Sequence, residues 1–176
     1  MNNGFTLVEI LVSVLILGLL FAGIYAVLNV GNIIFREDMT LVELQQQARQ
    51  AMSAMVKEIR ESKSSVITLA DTNTKIIFSV PPAVYGNPWV GPISYYRDVN
   101  DTNNDGVVNQ IIREYPTGTR KILANDITAL SFSLTGKVVV VELAAKKAAR
   151  GRELCFPSPC ANPQKTLKEK VKLRNE

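Results

Sequence analysis

Glu9 is a lone carboxylate near the start of an apolar run, "GFTLVEILVSVLILGLLFAGIYAVLNVGNIIF", residues 4–35. A carboxylate deep in hydrocarbon costs on the order of 2.5–3.5 kcal/mol, so it marks a function or a place near the membrane edge. A second group of oxygen donors lies in "DVNDTNNDGVVNQIIRE". Asp101, Asn103, Asp105, Val107 and Asn109 take the first, third, fifth, seventh and ninth places of an EF-hand-like loop, with Gly106 at the sixth. That spacing converges carboxylate, amide and carbonyl oxygens on a calcium ion. The twelfth place should hold a bidentate acid but is Ile112, with Glu114 two residues on. Asp, Asn and Gly are also good turn formers, so a plain polar hairpin tip is the alternative. Cys155 and Cys160 lie in "CFPSPC", close enough for a small disulfide in an exported domain; two unpaired thiols are the other reading.

The usual machinery of catalysis is missing. The chain has no histidine, which removes the commonest general base and metal ligand. It shows no Ser-centred elbow, no phosphate-binding Gly loop and no metal cluster of usual spacing. Asp98 and Asp101 are absorbed by the loop. A structural zinc site would need more than two cysteines here. The sequence therefore reads as a non-enzyme. The net charge of +4 owes much to the C-terminal "KTLKEKVKLRNE". With no basic stripe interleaved with aromatics, that segment reads as a solvated polar tail, which argues against nucleic acid as a partner.

The elements that position these residues follow from hydropathy. Mean hydropathy is only +0.09 although 47% of residues are hydrophobic, so apolar side chains are concentrated locally. From Ile10 to Phe35 no charged residue occurs, a stretch longer than the ~20 residues that span a bilayer as a helix. Within it Gly18, Ala22 and Ala26 recur every fourth residue. They form either a small-xxx-small face for close helix packing or a lipid-facing scatter of small residues. Leu41, Leu44, Ala48, Ala51, Met55 and Ile59 then step by three and four, predicting an amphipathic continuation of the same helix over 36–63. Beyond Ser64 come short β-like runs: "SVITL", "KIIFSV", "ISYYR", "NQIIREY", "RKIL", "ITALSFSL" and "KVVVVELA". Thr135-Gly136 reads as a hairpin turn between the last two. The expected fold is α+β: a long N-terminal helix, membrane-spanning then amphipathic, packed on a small antiparallel sheet. "SVPPAVYGNPWVGP" reads as an irregular loop in which Trp89 packs on the sheet or meets a partner.

The opening "GFTLVEILVSVLIL" resembles the type IV pilins and the pseudopilins of type II secretion. Their short polar leader ends in Gly, and the mature chain opens "FTLxE" into an apolar helix. The resemblance implies cleavage after Gly4 by prepilin peptidase, N-methylation of Phe5 and retention of the helix. It also gives Glu9 a role: pairing with the new α-ammonium of Phe5 on a neighbouring subunit. In that pairing two groups costly in an apolar setting neutralise each other. Residues 1–4 would then be the leader, 5–35 the transmembrane and assembly helix, 36–63 its amphipathic part, 64–154 the β-rich head, and 155–176 a Cys-loop and basic tail.

Two departures from the family stand out. The leader "MNNG" has no Lys or Arg, so orientation must rest on the α-amino group and the export machinery. The membrane helix also lacks a proline, the first being Pro81, which suits a pseudopilin or minor pilin. The run "ARQAMSAMVKEIRESKS" is similar to the PilW group of minor pilins and the minor pseudopilin J. The implied function is a structural subunit that helps initiate or cap a type IV pilus or type II secretion pseudopilus. It would be anchored by a single pass in the inner membrane, with a periplasmic head and other pilins as partners. From a different class, the head could be a ligand-binding module for DNA uptake or adhesion on a pilin stem, and an unrelated anchored protein is a third reading. A secretory signal peptide fits poorly, because the apolar run is too long and lacks a basic n-region and an A-x-A site.

Overall fold

The computed structural model describes residues 6–82, 88–101, 106–149, 152–160 and 166–174. They form one α-helix, α1 (Leu7–Arg60), a short 3-10 helix (Ser64–Val66) and nine strands: β1 (Thr68–Ala70), β2 (Lys75–Val80), β3 (Val90–Asp98), β4 (Gln110–Glu114), β5 (Arg120–Ala124), β6 (Ile127–Thr135), β7 (Val138–Ala149), β8 (Arg152–Phe156) and β9 (Leu167–Lys172). The chain divides into two compact units, residues 1–40 and 41–176. In the first unit the described residues are helical from Leu7 on. Leu11, Leu15, Leu19, Phe21 and Ile24 are all exposed, and an 18-residue window of this segment has a mean hydropathy of 2.7. A helix apolar on every side with nothing to cover it suits a lipid environment.

The second unit is the α+β arrangement expected. Leu44, Ala48, Ala51, Met55 and Ile59 are buried, and Met52 joins them, so the three-and-four stepping is the face of α1 that packs. Strands β1 to β5 form an antiparallel meander. Along β2 and β3, Ile76, Phe78, Ile93 and Tyr95 alternate inward and are at most 1% exposed, the period of two that a half-buried sheet requires. The second sheet is built on β7. One edge pairs with β6; on the other, β9 pairs with Val138–Leu143 and β8 with Ala145–Ala149. Val139, Val141 and Leu143 of β7, Phe132 of β6 and Val171 of β9 share one hydrophobic cluster with the α1 stripe and the first sheet. Each large side chain fully buried there contributes about 1.5–3 kcal/mol.

Differences from the sequence reading include β8, which none of the expected β-like runs covers, a 3-10 helix over Ser64–Val66 in place of the start of "SVITL", the hairpin turn and the C-terminal segment. The turn between β6 and β7 is Gly136-Lys137, not Thr135-Gly136, since Thr135 is already paired with Val138. Gly136 sits at φ 56, where a side chain would be strained. The supposed polar tail contains strand β9, with Val171 unexposed and Leu173 buried behind it. The alternation of Leu167, Val171 and Leu173 with Lys168, Lys170, Lys172 and Arg174 was the signal, masked by the density of charge.

Polar contacts tie α1 to the sheets within the second unit. Tyr95 Oη donates to Glu58 Oε2 at 2.7 Å, and Arg113 Nε lies 3.0 and 3.1 Å from the two Glu58 oxygens. The backbone N–H of Asn125 donates to Gln47 Oε1 at 3.3 Å, while buried Gln110 donates to Asn125 Oδ1 at 3.0 Å. Burial first, then the hydrogen bond to the Glu58 anion, push the Tyr95 phenol well above its ordinary range. Burial works against the charge of Arg113, but Glu58 outweighs it and holds the guanidinium above its usual value.

Candidate assembly site

The start of α1 is a reciprocal cap. Thr6 precedes the first helical residue, and its hydroxyl accepts from the Glu9 backbone N–H at 3.3 Å. Glu9 Oε2 in turn accepts from the Thr6 backbone N–H at 2.9 Å and from the Thr6 hydroxyl at 3.0 Å. This is the capping box, Thr-x-x-Glu, which satisfies donors that a helix N-terminus leaves open. The carboxylate also lies in the first turn, where it complements the helix dipole. The sequence reading singled out Glu9 near the start of the apolar run but missed its partner. Threonine three residues before a glutamate, ahead of an apolar run, was the available signal.

Gly4 and Phe5, the expected cleavage pair, lie outside the described residues. Gly18, Ala22 and Ala26 are exposed on α1, and a side chain built at Gly18 would meet nothing within 4 Å. Shallow grooves lie in the apolar surface, and of these three residues only Ala26 lines one of them. One is lined by Leu20, Gly23, Ile24 and Val27, and the other by Ala26, Val30, Gly31 and Ile34. Gly23 and Gly31 were not singled out in the sequence because neither continues the spacing of four from Gly18.

The acidic loop is turned in on itself where it is described. Asp101 Oδ2 accepts from the Gly106 backbone N–H at 3.1 Å, and the Asn109 backbone N–H donates to the Asp98 carbonyl at 2.6 Å. Asn103 and Asp105 lie outside the described residues. Ile112, at the twelfth place, is 0% exposed in β4, and Glu114 accepts from the Gly118 backbone N–H at 2.8 Å. Neither supplies the bidentate acid, so the described donors, Asp101, Val107 and Asn109, do not complete a calcium cage. Among the described residues no group of three or more His, Cys, Asp or Glu could hold a metal. Cys155 and Cys160 are joined in a disulfide, beside Phe156, whose ring lies 5.5 Å from the Arg49 guanidinium of α1. Trp89 is half-buried, with Lys63 Nζ 4.8 Å from its ring centre.

Residues 1–25 match the family model of the prokaryotic N-terminal methylation motif. This is a prepilin-type N-terminus. The motif and the apolar helix behind it are consistent with the type IV pilin family. Comparison with curated proteins and with solved structures finds no match for the chain. A prepilin-type motif implies processing by prepilin peptidase and assembly with other pilins. It points to membrane anchoring and to a structural subunit rather than an enzyme.

Proposed function

We propose that the chain is a minor pilin or pseudopilin, a subunit that initiates or caps a short type IV pilus or type II secretion filament. The observation that carries this reading is the methylation motif of residues 1–25 running directly into a helix apolar on all sides. Cleavage after Gly4 would leave Phe5 as the amino terminus, with the Glu9 carboxylate one helical turn further on. Among the described residues that carboxylate is held by uncharged donors of Thr6, and none of them offsets its charge. A neighbouring α-ammonium would compensate it, and a lone subunit in the bilayer would lack that relief. The proline-free helix and the "ARQAMSAMVKEIRESKS" run favour a minor over a major subunit. The head lies outside the cytoplasm in this reading, where a Cys155–Cys160 disulfide persists. Glu9→Ala tests the proposal. The variant is expected in the membrane fraction at the wild-type level but absent from sheared or cross-linked filaments. Normal incorporation would refute the pairing.

A further inference from the structure

The basic residues that look scattered in the sequence meet in one place. An open groove of about 860 Å³ runs between the last turns of α1 and strand β9. Lys57 and Arg60 line it from the helix, and Lys170, Lys172 and Arg174 from the strand and the residues after it. The two walls are joined where the Arg174 backbone N–H donates to the Arg60 carbonyl at 2.9 Å. Among the described residues Glu61 is the one acid in the lining, and it pairs with Arg174 at 3.1 Å. Lys57, Arg60, Lys170 and Lys172 are exposed, and none has an ion-pair partner among the described residues.

We propose that this groove binds the phosphate backbone of nucleic acid. Each wall alone has a simpler explanation: cations suit a helix C-terminus, and lysines protect an edge strand from pairing. Neither explains why the two sets face one groove with, among the described residues, a single acid between them. Lys170, Lys172 and Arg174 repeat every second residue, about 6.6 Å apart along the strand, a linear row that suits a linear polyanion. A protein partner fits less well, because interface cores favour aromatic residues and deplete Lys, and among the described residues no aromatic side chain lines this groove. For the same reason bases have nothing to stack on, so binding is to the backbone and indifferent to sequence. The inference goes beyond assembly and does not depend on it: a chain that fails to enter a filament would still bind.

The full-length chain in uncharged detergent micelles is titrated into a labelled mixed-sequence DNA duplex of about 30 base pairs, between about 50 and 200 mM salt. Four unpaired cations predict a slope of log K against log salt of about −3.6, or roughly a 150-fold loss across that range. Lys170→Gln/Lys172→Gln and Lys57→Gln/Arg60→Gln are each expected to weaken binding about tenfold and to flatten the slope by about 1.8. Arg120→Gln/Lys121→Gln on β5 removes the same charge elsewhere and is expected to change neither. Lack of binding at the lowest salt, an equal loss in the β5 variant, or preference for polyglutamate of equal length would each overturn the proposal.

Discussion

At the scale of single residues, Glu9 has one observed contact and one proposed pairing that a substitution can separate. Its capping contact with Thr6 needs an oxygen acceptor, whereas pairing with a neighbouring α-ammonium needs a negative charge. Glu9→Gln keeps the first and loses the second. It is expected to insert and remain helical but to drop out of filaments, and co-sedimentation with the other pilins measures this. Thr6→Ala should do the reverse, weakening the helix start by about 1 kcal/mol while incorporation persists. In the head, Tyr95 gives a pH signature. Its folded pKa is raised above the ordinary value of 10.0, so the stability it contributes is fully present below pH 10.0 and is lost as pH rises through the folded value. Tyr95→Phe is expected to cost about 1–2 kcal/mol at neutral pH. The gap between wild type and variant should narrow above pH 10.0, as followed by chemical denaturation. A gap that widens would show that the phenol is not held neutral by burial and Glu58.

At the scale of elements, α1 was legible because its periodicity changes only once, from apolar on all sides to a stripe stepping by three and four. Strands β2 to β7 were legible because β-branched and aromatic residues alternate between clear turn residues. Strand β9 was not, since lysines dominate it and its apolar partners lie on β7, 24 or more residues earlier in the chain. The capping box was in plain view as Thr6 and Glu9, but a family resemblance supplied another role for Glu9 first. The basic groove could not be read at all, because Lys57 and Lys172 come together only when β9 docks beside α1. The stripe carries the clearest stability prediction. Met55 is fully buried, and Met55→Ala is expected to lower the unfolding free energy of the head by about 2–5 kcal/mol. A loss under ~1 kcal/mol would mean that α1 does not pack as described.

At the scale of the whole molecule, the two units ask for different solvents. The described residues up to 40 present an apolar helix without a core of their own, and residues 41–176 hold the shared hydrophobic cluster. A chain beginning at Leu41 is therefore expected to be soluble and to unfold cooperatively in a thermal scan. Replacing Cys155 and Cys160 with Ser should destabilise it by about 2 kcal/mol, the loop-closure effect of a short bridge. In the proposed function the first unit commits the chain to a membrane and to neighbouring helices, and the second supplies the surface displayed. Everything in that account begins with the cut between Gly4 and Phe5. Mass spectrometry of the N-terminal peptide, from protein purified out of its native membrane, tests it most directly. The expected product starts at Phe5 and carries one added methyl group; an intact Met1, or a cut near residue 25, would contradict it.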